Sequence, residues 1–322
     1  MGKNFIAGFD IGGTKIALAL GVPGEKLIAR RSFPTGSMRG PNEAMNQALD
    51  ILQSLALEFD AAPIAAGIGC AGPLNLDLGL VTTSPNLTGW RNFPLRSFVA
   101  DRLGVPVALD NDANAAAVGE HLYGAGRGFS DLVYFTISTG IGGGIIAGNQ
   151  LVHRLGEAGH IIVEPGGTLC ECGARGCMEA LCSGPAIARR AKDQLRSGRS
   201  SVLTGMVDDV QKITAETVAE AVRAGDMFAL ELLEETIAFL SIGVGGIISV
   251  LAPQALIFGG GVSSGFGELL LQPLREQLKR QVHIVPVDEI QIVPAALGAD
   301  SGLYGAIALG ARELAGKKVP TL

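Results

Sequence analysis

The chain carries no surplus of basic residues. Its 25 Lys and Arg are outnumbered by 31 Asp and Glu, for a net charge of -6 and a pI of about 5.3. Nothing in that balance points to nucleic acid as a partner. Long apolar runs are missing too. The most apolar segment, Ala238 to Leu251, is short, rich in glycine and followed by Pro253, so it reads as a buried helix and not a membrane span. No secretory leader is visible, because Asp10 interrupts the first apolar run. Ile6 stands where a myristoylation signal needs Ser or Thr. The five cysteines do not suggest a secreted disulfide scaffold. The pattern G-x-x-x-x-G-K-[ST] occurs nowhere, which excludes a P-loop. These absences leave a soluble cytoplasmic protein as the expectation.

Glycine, by contrast, is abundant: 46 residues, against 5% aromatics. The glycines follow no collagen-like period and imply tight turns and close backbone approaches. With 322 residues, 48% of them hydrophobic, the chain can bury a core in one large or two medium domains.

The most informative stretch is Phe5 to Leu20, which reads as strand, glycine turn, strand. Gly12 and Gly13 supply a turn able to take positive φ and to admit a ligand close to the backbone. Asp10, Thr14 and Lys15 surround it with a metal-binding carboxylate, a hydroxyl and a cation. The N–H groups of such a turn form an anion-binding nest. An ordinary hairpin tip would explain the glycines alone. The full Asp-x-Gly-Gly-Thr-Lys pattern resembles the first phosphate motif of the superfamily that holds sugar kinases, actin and the 70-kDa heat-shock ATPases. The reading then repeats: Leu132 to Ala147 is again strand, glycine turn, strand, with Thr139 and Gly140 at the turn. Two such halves could clamp one nucleotide, its phosphates held by hairpin turns.

Gly67, Gly69 and Gly72 satisfy G-x-G-x-x-G, but Pro73 follows and no helix opens there. A glycine-lined loop near a ligand is expected, not a dinucleotide site. In the turn-rich segment from Ser84 to Pro94, Asn86 is either a turn former or a contact to a polar ligand, and Trp90 packs under the loop. A strand from Val105 to Leu109 delivers Asp110, Asn111, Asp112 and Asn114 to its C-terminal edge, where α/β sheets bind ligands. Asp112 alone could also be a helix N-cap. Glu157 and His160 precede a block in which Cys170, Cys172 and Cys177 lie within eight residues, with Glu179 just beyond. In a reducing compartment this spacing favours a Cys₃His zinc site over disulfides. Cys70 and Cys182 read as ordinary buried thiols. A strand from Ala255 to Phe258 ends in Gly259, Gly260 and Gly261, which either admit a flat adenine or ribose or simply turn strand into helix. Gly298 to Leu314 reads as a tightly packed final helix.

The Glu-x-x-His and Cys-x-Cys-Gly-x-x-Gly-Cys-x-Glu block, with the opening motif, resembles the ROK family (repressors, open reading frames and kinases) over nearly the whole chain. Within it the likeness is greatest to the bacterial glucokinases, including the Pro-Asn-Leu-x-Gly-Trp loop around Trp90. The resemblance implies an actin-like (ribonuclease H-like) fold, two α/β domains around a cleft. Residues 1–117 plus about 303–322 would form the small domain, and 118–302 the large one with the zinc site. It implies ATP-dependent phosphorylation of glucose at the 6-hydroxyl. By the same likeness Asp112 is the base, and Asn86, Asn111, Glu157, His160 and Glu179 join it as hexose ligands. Gly12, Gly13, Thr14 and Lys15 match the first phosphate turn, with Asp10 beside Mg²⁺. Thr139 and Gly140 match the second turn, and Gly259, Gly260 and Gly261 the adenosine segment. His160, Cys170, Cys172 and Cys177 match the ligands of a structural Zn²⁺.

The chemistry agrees with these roles. Phosphoryl transfer needs an in-line nucleophile, neutralised phosphates and little covalent help. A carboxylate of ordinary acidity cannot hold free alkoxide, but it can orient the hydroxyl and take its proton late. A His that binds zinc through one ring nitrogen can donate to the sugar through the other. N-acetylglucosamine, N-acetylmannosamine, fructose and allose are alternative substrates. A sugar-sensing repressor of the family would place a helix-turn-helix before the phosphate motif, which here starts within ten residues of Met1. A homodimer or higher homo-oligomer is the default assembly.

Overall fold

The computed structural model describes residues 4–36, 40–83, 87, 89–153 and 156–316. Along the chain these form β1 (Phe5–Ile11), β2 (Lys15–Gly21), β3 (Leu27–Pro34), α1 (Pro41–Glu58), β4 (Pro63–Cys70), β5 (Leu74–Asn75), β6 (Leu80–Val81), α2 (Leu95–Leu103), β7 (Val107–Asn111) and α3 (Asp112–Tyr123). Then come β8 (Leu132–Ile137), β9 (Ile141–Ala147), β10 (Gln150–Leu151), α4 (Met178–Cys182), α5 (Gly184–Arg196), α6 (Leu203–Met206), α7 (Ala215–Arg223) and α8 (Met227–Leu251). The chain closes with β11 (Ala255–Gly259), α9 (Gly261–Phe266), α10 (Glu268–Gln281), β12 (Gln291–Pro294) and α11 (Ser301–Leu314).

One five-stranded sheet runs β3-β2-β1-β4-β7, the other β10-β9-β8-β11-β12. In the first, β1 pairs antiparallel with β2 and parallel with β4, which pairs parallel with β7. Strands β1, β2 and β4 are buried on nearly every residue because both faces are covered, whereas edge strand β3 exposes Arg30 to Ser32. Met45, Leu49 and Leu52 of α1 and Val99 of α2 join Phe9, Leu18 and Ile68 on one face. On the other, Ile307 of α11 meets Ile6 and Ala65, and Leu303 meets Ala17 and Ala19. In the second sheet β8, β11 and β12 run parallel.

The chain divides into two compact units, Met1–Ser130, Gly144–Arg154 and Ala299–Leu322 in one, Asp131–Gly143 and Leu155–Gly298 in the other. A cut after residue 117 would pass through α3. That helix is indivisible because α11 lies on it backbone to backbone: a Cβ on Gly119 or Gly305 would strike the opposite main chain. The same close approach corrects the reading of the G-x-G-x-x-G match. Gly67 and Gly69 sit inside β4, where a Cβ on Gly67 would strike the Ala306 carbonyl of α11 and one on Gly69 would lie 2.8 Å from Ala115 Cβ. These two glycines admit helices, not a ligand.

Trp90 is buried and meets Phe93 edge-on with ring centroids 5.6 Å apart, as expected of a residue under its loop. The apolar segment ending at Leu251 is the second half of the 25-residue α8, whose first turn is capped by Asp226 accepting from Ala229 N. Leu240, Val244 and Ile248 are buried, while Ile242 is 48% and Val250 82% exposed, so only one side of the helix is core. By length and composition α8 could cross a membrane, but half of its most apolar window is buried against the protein.

Candidate active site

In the first unit, the turn after β1 is shaped by backbone hydrogen bonds. Gly12 N donates to Lys15 O at 3.0 Å, and Thr35 N donates to Thr14 O at 3.0 Å. The buried Thr35 hydroxyl adds a bond to Gly12 O at 2.7 Å. Gly12 keeps φ outside the left-handed region, contrary to the expectation, and its N–H is occupied within the hairpin. The turn can offer an anion the N–H groups of Gly13 and Thr14 and the exposed Lys15 ammonium.

Asp10, at the end of β1, is pushed up from its ordinary 3.8 to about 7, chiefly by desolvation, then by the charge of Asp112; Lys15 opposes this and Asp300 adds to it. Room for its carboxylate comes from Gly302 in the first turn of α11, where a Cβ would lie 2.8 Å from Asp10 Cγ. A desolvated carboxylate next to a second one is a site that a divalent cation would relieve. The thiol of Cys70, fully buried, is likewise held well above its usual range by burial and by the charges of Asp112 and Asp10, so it stays protonated.

Strand β7 continues two residues further than its apolar run, through Asp110 and Asn111. Asn111, not Asp112, is the N-cap of α3: its Oδ1 accepts from Ala113 N at 2.9 Å and Asn114 N at 3.4 Å. The cap uses the amide oxygen and leaves Nδ2 as the group able to donate. Asp112 is the first residue of the helix, with Oδ1 accepting from Ala113 N at 2.9 Å. Behind it, buried Asp110 accepts from Asn111 N and Asn114 Nδ2, each at 2.8 Å, and pairs with His153 Nδ1 at 2.9 Å.

In the second unit, Ser138 N donates to Gly140 O at 2.8 Å and closes the turn between β8 and β9. Glu179, on α4, reaches this turn: its Oε2 accepts from Ile141 N at 2.7 Å, and a Cβ on Gly140 would lie 2.5 Å from that oxygen. The residue expected at the sugar therefore also braces the β8–β9 turn. Thr139 and Gly261 line one cavity of about 740 Å³ with Pro185, Ala188, Val262 and Phe266, a size suited to a nucleoside. Lys192 and Glu216 also line it, and no motif marked them. Of the three glycines, only Gly261 faces open space. A Cβ on Gly259 would strike Tyr134, and one on Gly260, whose φ is 87°, would strike the Ile137 backbone. Those two make room for β8.

The ligand atoms of His160, Cys170, Cys172 and Cys177 all lie within 4.8 Å of one another. His160 Nδ1 is 3.7 Å from Cys170 Sγ, and Cys172 Sγ is 3.6 Å from Cys177 Sγ. Tetrahedral zinc with ordinary bond lengths gives edges of about 3.6 Å for N···S and about 3.8 Å for S···S. Burial pushes the Cys177 thiol up to about 12 and raises Cys170, while the N–H of Ala174 favours the Cys172 thiolate. Holding all three as thiolates this close would take a cation, and donor set and spacing fit Zn²⁺. His160 turns its other nitrogen, Nε2, toward Glu157 Oε2 at 3.8 Å. Asn86 lies outside the described residues.

The ROK family model matches residues 6–313. A glucokinase of Thermotoga maritima is 34% identical over 320 residues, 98% of this chain and 100% of that one. A glucokinase of Streptomyces coelicolor is 36% identical over 318 residues, 95% of this chain and 97% of that one. The crystal structure of a ROK family glucokinase from Streptomyces griseus in complex with glucose and AMPPNP aligns with a TM-score of 0.83 at 35% identity, over 96% of this chain and 100% of that chain. The chain, with an actin-like ATPase fold, belongs to the ROK family.

Proposed function

We propose that this protein transfers the γ-phosphoryl group of ATP to the 6-hydroxyl of glucose, giving glucose 6-phosphate and ADP. The observation that carries the reading is the likeness, at 35% identity over 96% of the chain, to a kinase crystallised with glucose and an ATP analogue. Asp112, presented at the first position of α3, orients the 6-hydroxyl and accepts its proton as the bond to phosphorus forms. Asn111 Nδ2, Glu157, Glu179 and His160 Nε2 hold the other hydroxyls, and Asn86 joins them. Carboxylates suit this task because each accepts strong hydrogen bonds from more than one hydroxyl.

Gly13, Thr14 and Lys15 hold phosphate oxygens in one unit, and Thr139 and Gly140 do so in the other. Adenosine occupies the cavity beside Gly261. Asp10 would hold Mg²⁺, which when bound would neutralise phosphate charge. His160, Cys170, Cys172 and Cys177 would hold Zn²⁺, which when bound would fix the His160 ring as a structural ion outside the transfer itself. A reducing, cytoplasmic location suits both ATP and cysteines held free of disulfides. The exposed apolar side of α8, with Ile242 and Val250, favours a homodimer.

The test is ADP release with glucose beside N-acetylglucosamine, N-acetylmannosamine, fructose, mannose and allose. Glucose giving the highest kcat/KM supports the reading. Preference for another hexose would replace the substrate, and no turnover with any sugar by zinc-loaded protein would sink it.

A further inference from the structure

The β9–β10 hairpin is clasped to the start of α3 at two points. Gly144 of β9 lies on the first turn of the helix, where a Cβ would come 2.8 Å from Ala113 O and 2.5 Å from Ala117 Cβ. Past β10 the hairpin continues with Val152 N donating to Ile145 O at 2.9 Å. The next residue, His153, places Nδ1 at 2.9 Å from Asp110 Oδ2. Asp110 is 2% exposed, whereas the His153 side chain is 41% exposed. The histidine is therefore not a core residue that happens to find a partner. It approaches from the solvent side and meets the second oxygen of a buried carboxylate whose first oxygen accepts from Asn111 N and Asn114 Nδ2.

That carboxylate is the hub of the turn. One oxygen accepts from Asn111 N and from Asn114 Nδ2, at 2.8 Å each, so it ties the residue before Asp112 to the residue two after it. The other oxygen has His153. Carboxylate oxygens act as acceptors, so the contact assigns the donor role to His153 Nδ1. Three donors fix the carboxylate plane, and that plane sets the Asn111 peptide, the cap and the direction in which Asp112 leaves the helix. Without His153 a buried oxygen loses its donor, and the carboxylate must turn toward water to regain one.

We infer that His153 is a positioning residue for phosphoryl transfer: through Asp110 it fixes the β7–α3 turn and hence the aim of Asp112. The inference rests on the reading of Asp112 as the base. It reaches the chemistry through geometry alone, so its signature is in kcat and not in substrate affinity.

The test compares wild type with His153→Ala, His153→Asn, His153→Gln and Asp112→Asn in the zinc-loaded full chain. The amide nitrogen of Asn lies where Nδ1 lies in His, whereas that of Gln overshoots. His153→Ala should lower kcat about 10- to 100-fold, with KM for ATP and calorimetric glucose affinity close to wild type. His153→Asn should recover most of the loss and His153→Gln little of it. Wild-type kcat in His153→Ala overturns the inference, as does equal activity of the Asn and Gln variants. If Asp112→Asn keeps its turnover, it is the base reading that falls. A dead Asp112→Asn beside a fully active His153→Ala refutes the positioning role alone.

Discussion

Replacing Asp10 with asparagine should stabilise the metal-free protein at neutral and alkaline pH while abolishing its Mg²⁺-dependent activity. The folded protein holds this carboxyl at about 7, against an ordinary 3.8. For an acid whose pKa is raised by folding, the folded state binds the proton more tightly than the unfolded state. Below about pH 4 both states are protonated and nothing is lost. The cost grows as pH rises from 3.8 to about 7 and is complete above that. A difference of this size corresponds to about 4 kcal/mol. Asparagine has the same shape, cannot ionise and carries no such cost. Denaturant midpoints of the zinc-loaded proteins, without Mg²⁺, should fall with pH between 4 and 7 more steeply for wild type than for Asp10→Asn. Added Mg²⁺ should restore the wild type and leave the variant unmoved. Parallel pH curves for the two proteins would refute the argument that Asp10 is held desolvated beside Asp112.

Three further substitutions test other parts of the account. Gly140→Ala puts a methyl 2.5 Å from Glu179 Oε2; the displaced carboxylate releases Ile141 N, and kcat/KM for ATP should fall by about 10-fold or more, so an unchanged value contradicts the brace. Cys172→Ser should lose the bound zinc, measured by elemental analysis, together with glucose binding or folding; full glucose affinity in zinc-free protein would contradict a structural role. Trp90→Ala removes the largest fully buried side chain and should cost about 3–5 kcal/mol in unfolding; a near-native midpoint would show that the loop does not depend on it.

The two hairpins, their glycine turns and the Cys₃His cluster were legible in the sequence because each is local: continuous apolar strands around a turn, or four donors in a short spacing. Glycine was harder to read. A missing Cβ looks the same whether the space goes to a ligand or to a neighbouring backbone, and at Gly67, Gly69, Gly259 and Gly260 it goes to the protein itself. Polar residues also concealed the end of β7, since Asp110 and Asn111 stay in register with Gly69 and Cys70 of β4 despite their polarity. The alternative that Asp112 is a helix N-cap falls to Asn111 for the same reason, because the two residues have equal claims by residue type. Thr35, Gly302 and His153 carried no signal. Each acts on a residue far away in sequence, as His153 does on Asp110, 43 positions earlier, and no local pattern encodes such a pairing.

The most direct measurement is single-turnover phosphorylation of glucose by the ATP-loaded enzyme, for wild type and Asp112→Asn, with glucose affinity measured alongside by calorimetry. The account predicts that Asp112→Asn binds glucose within a few-fold of wild type but loses about 10²–10⁴-fold in the transfer step. Transfer at the wild-type rate by the folded variant would contradict the assignment of Asp112 as the base.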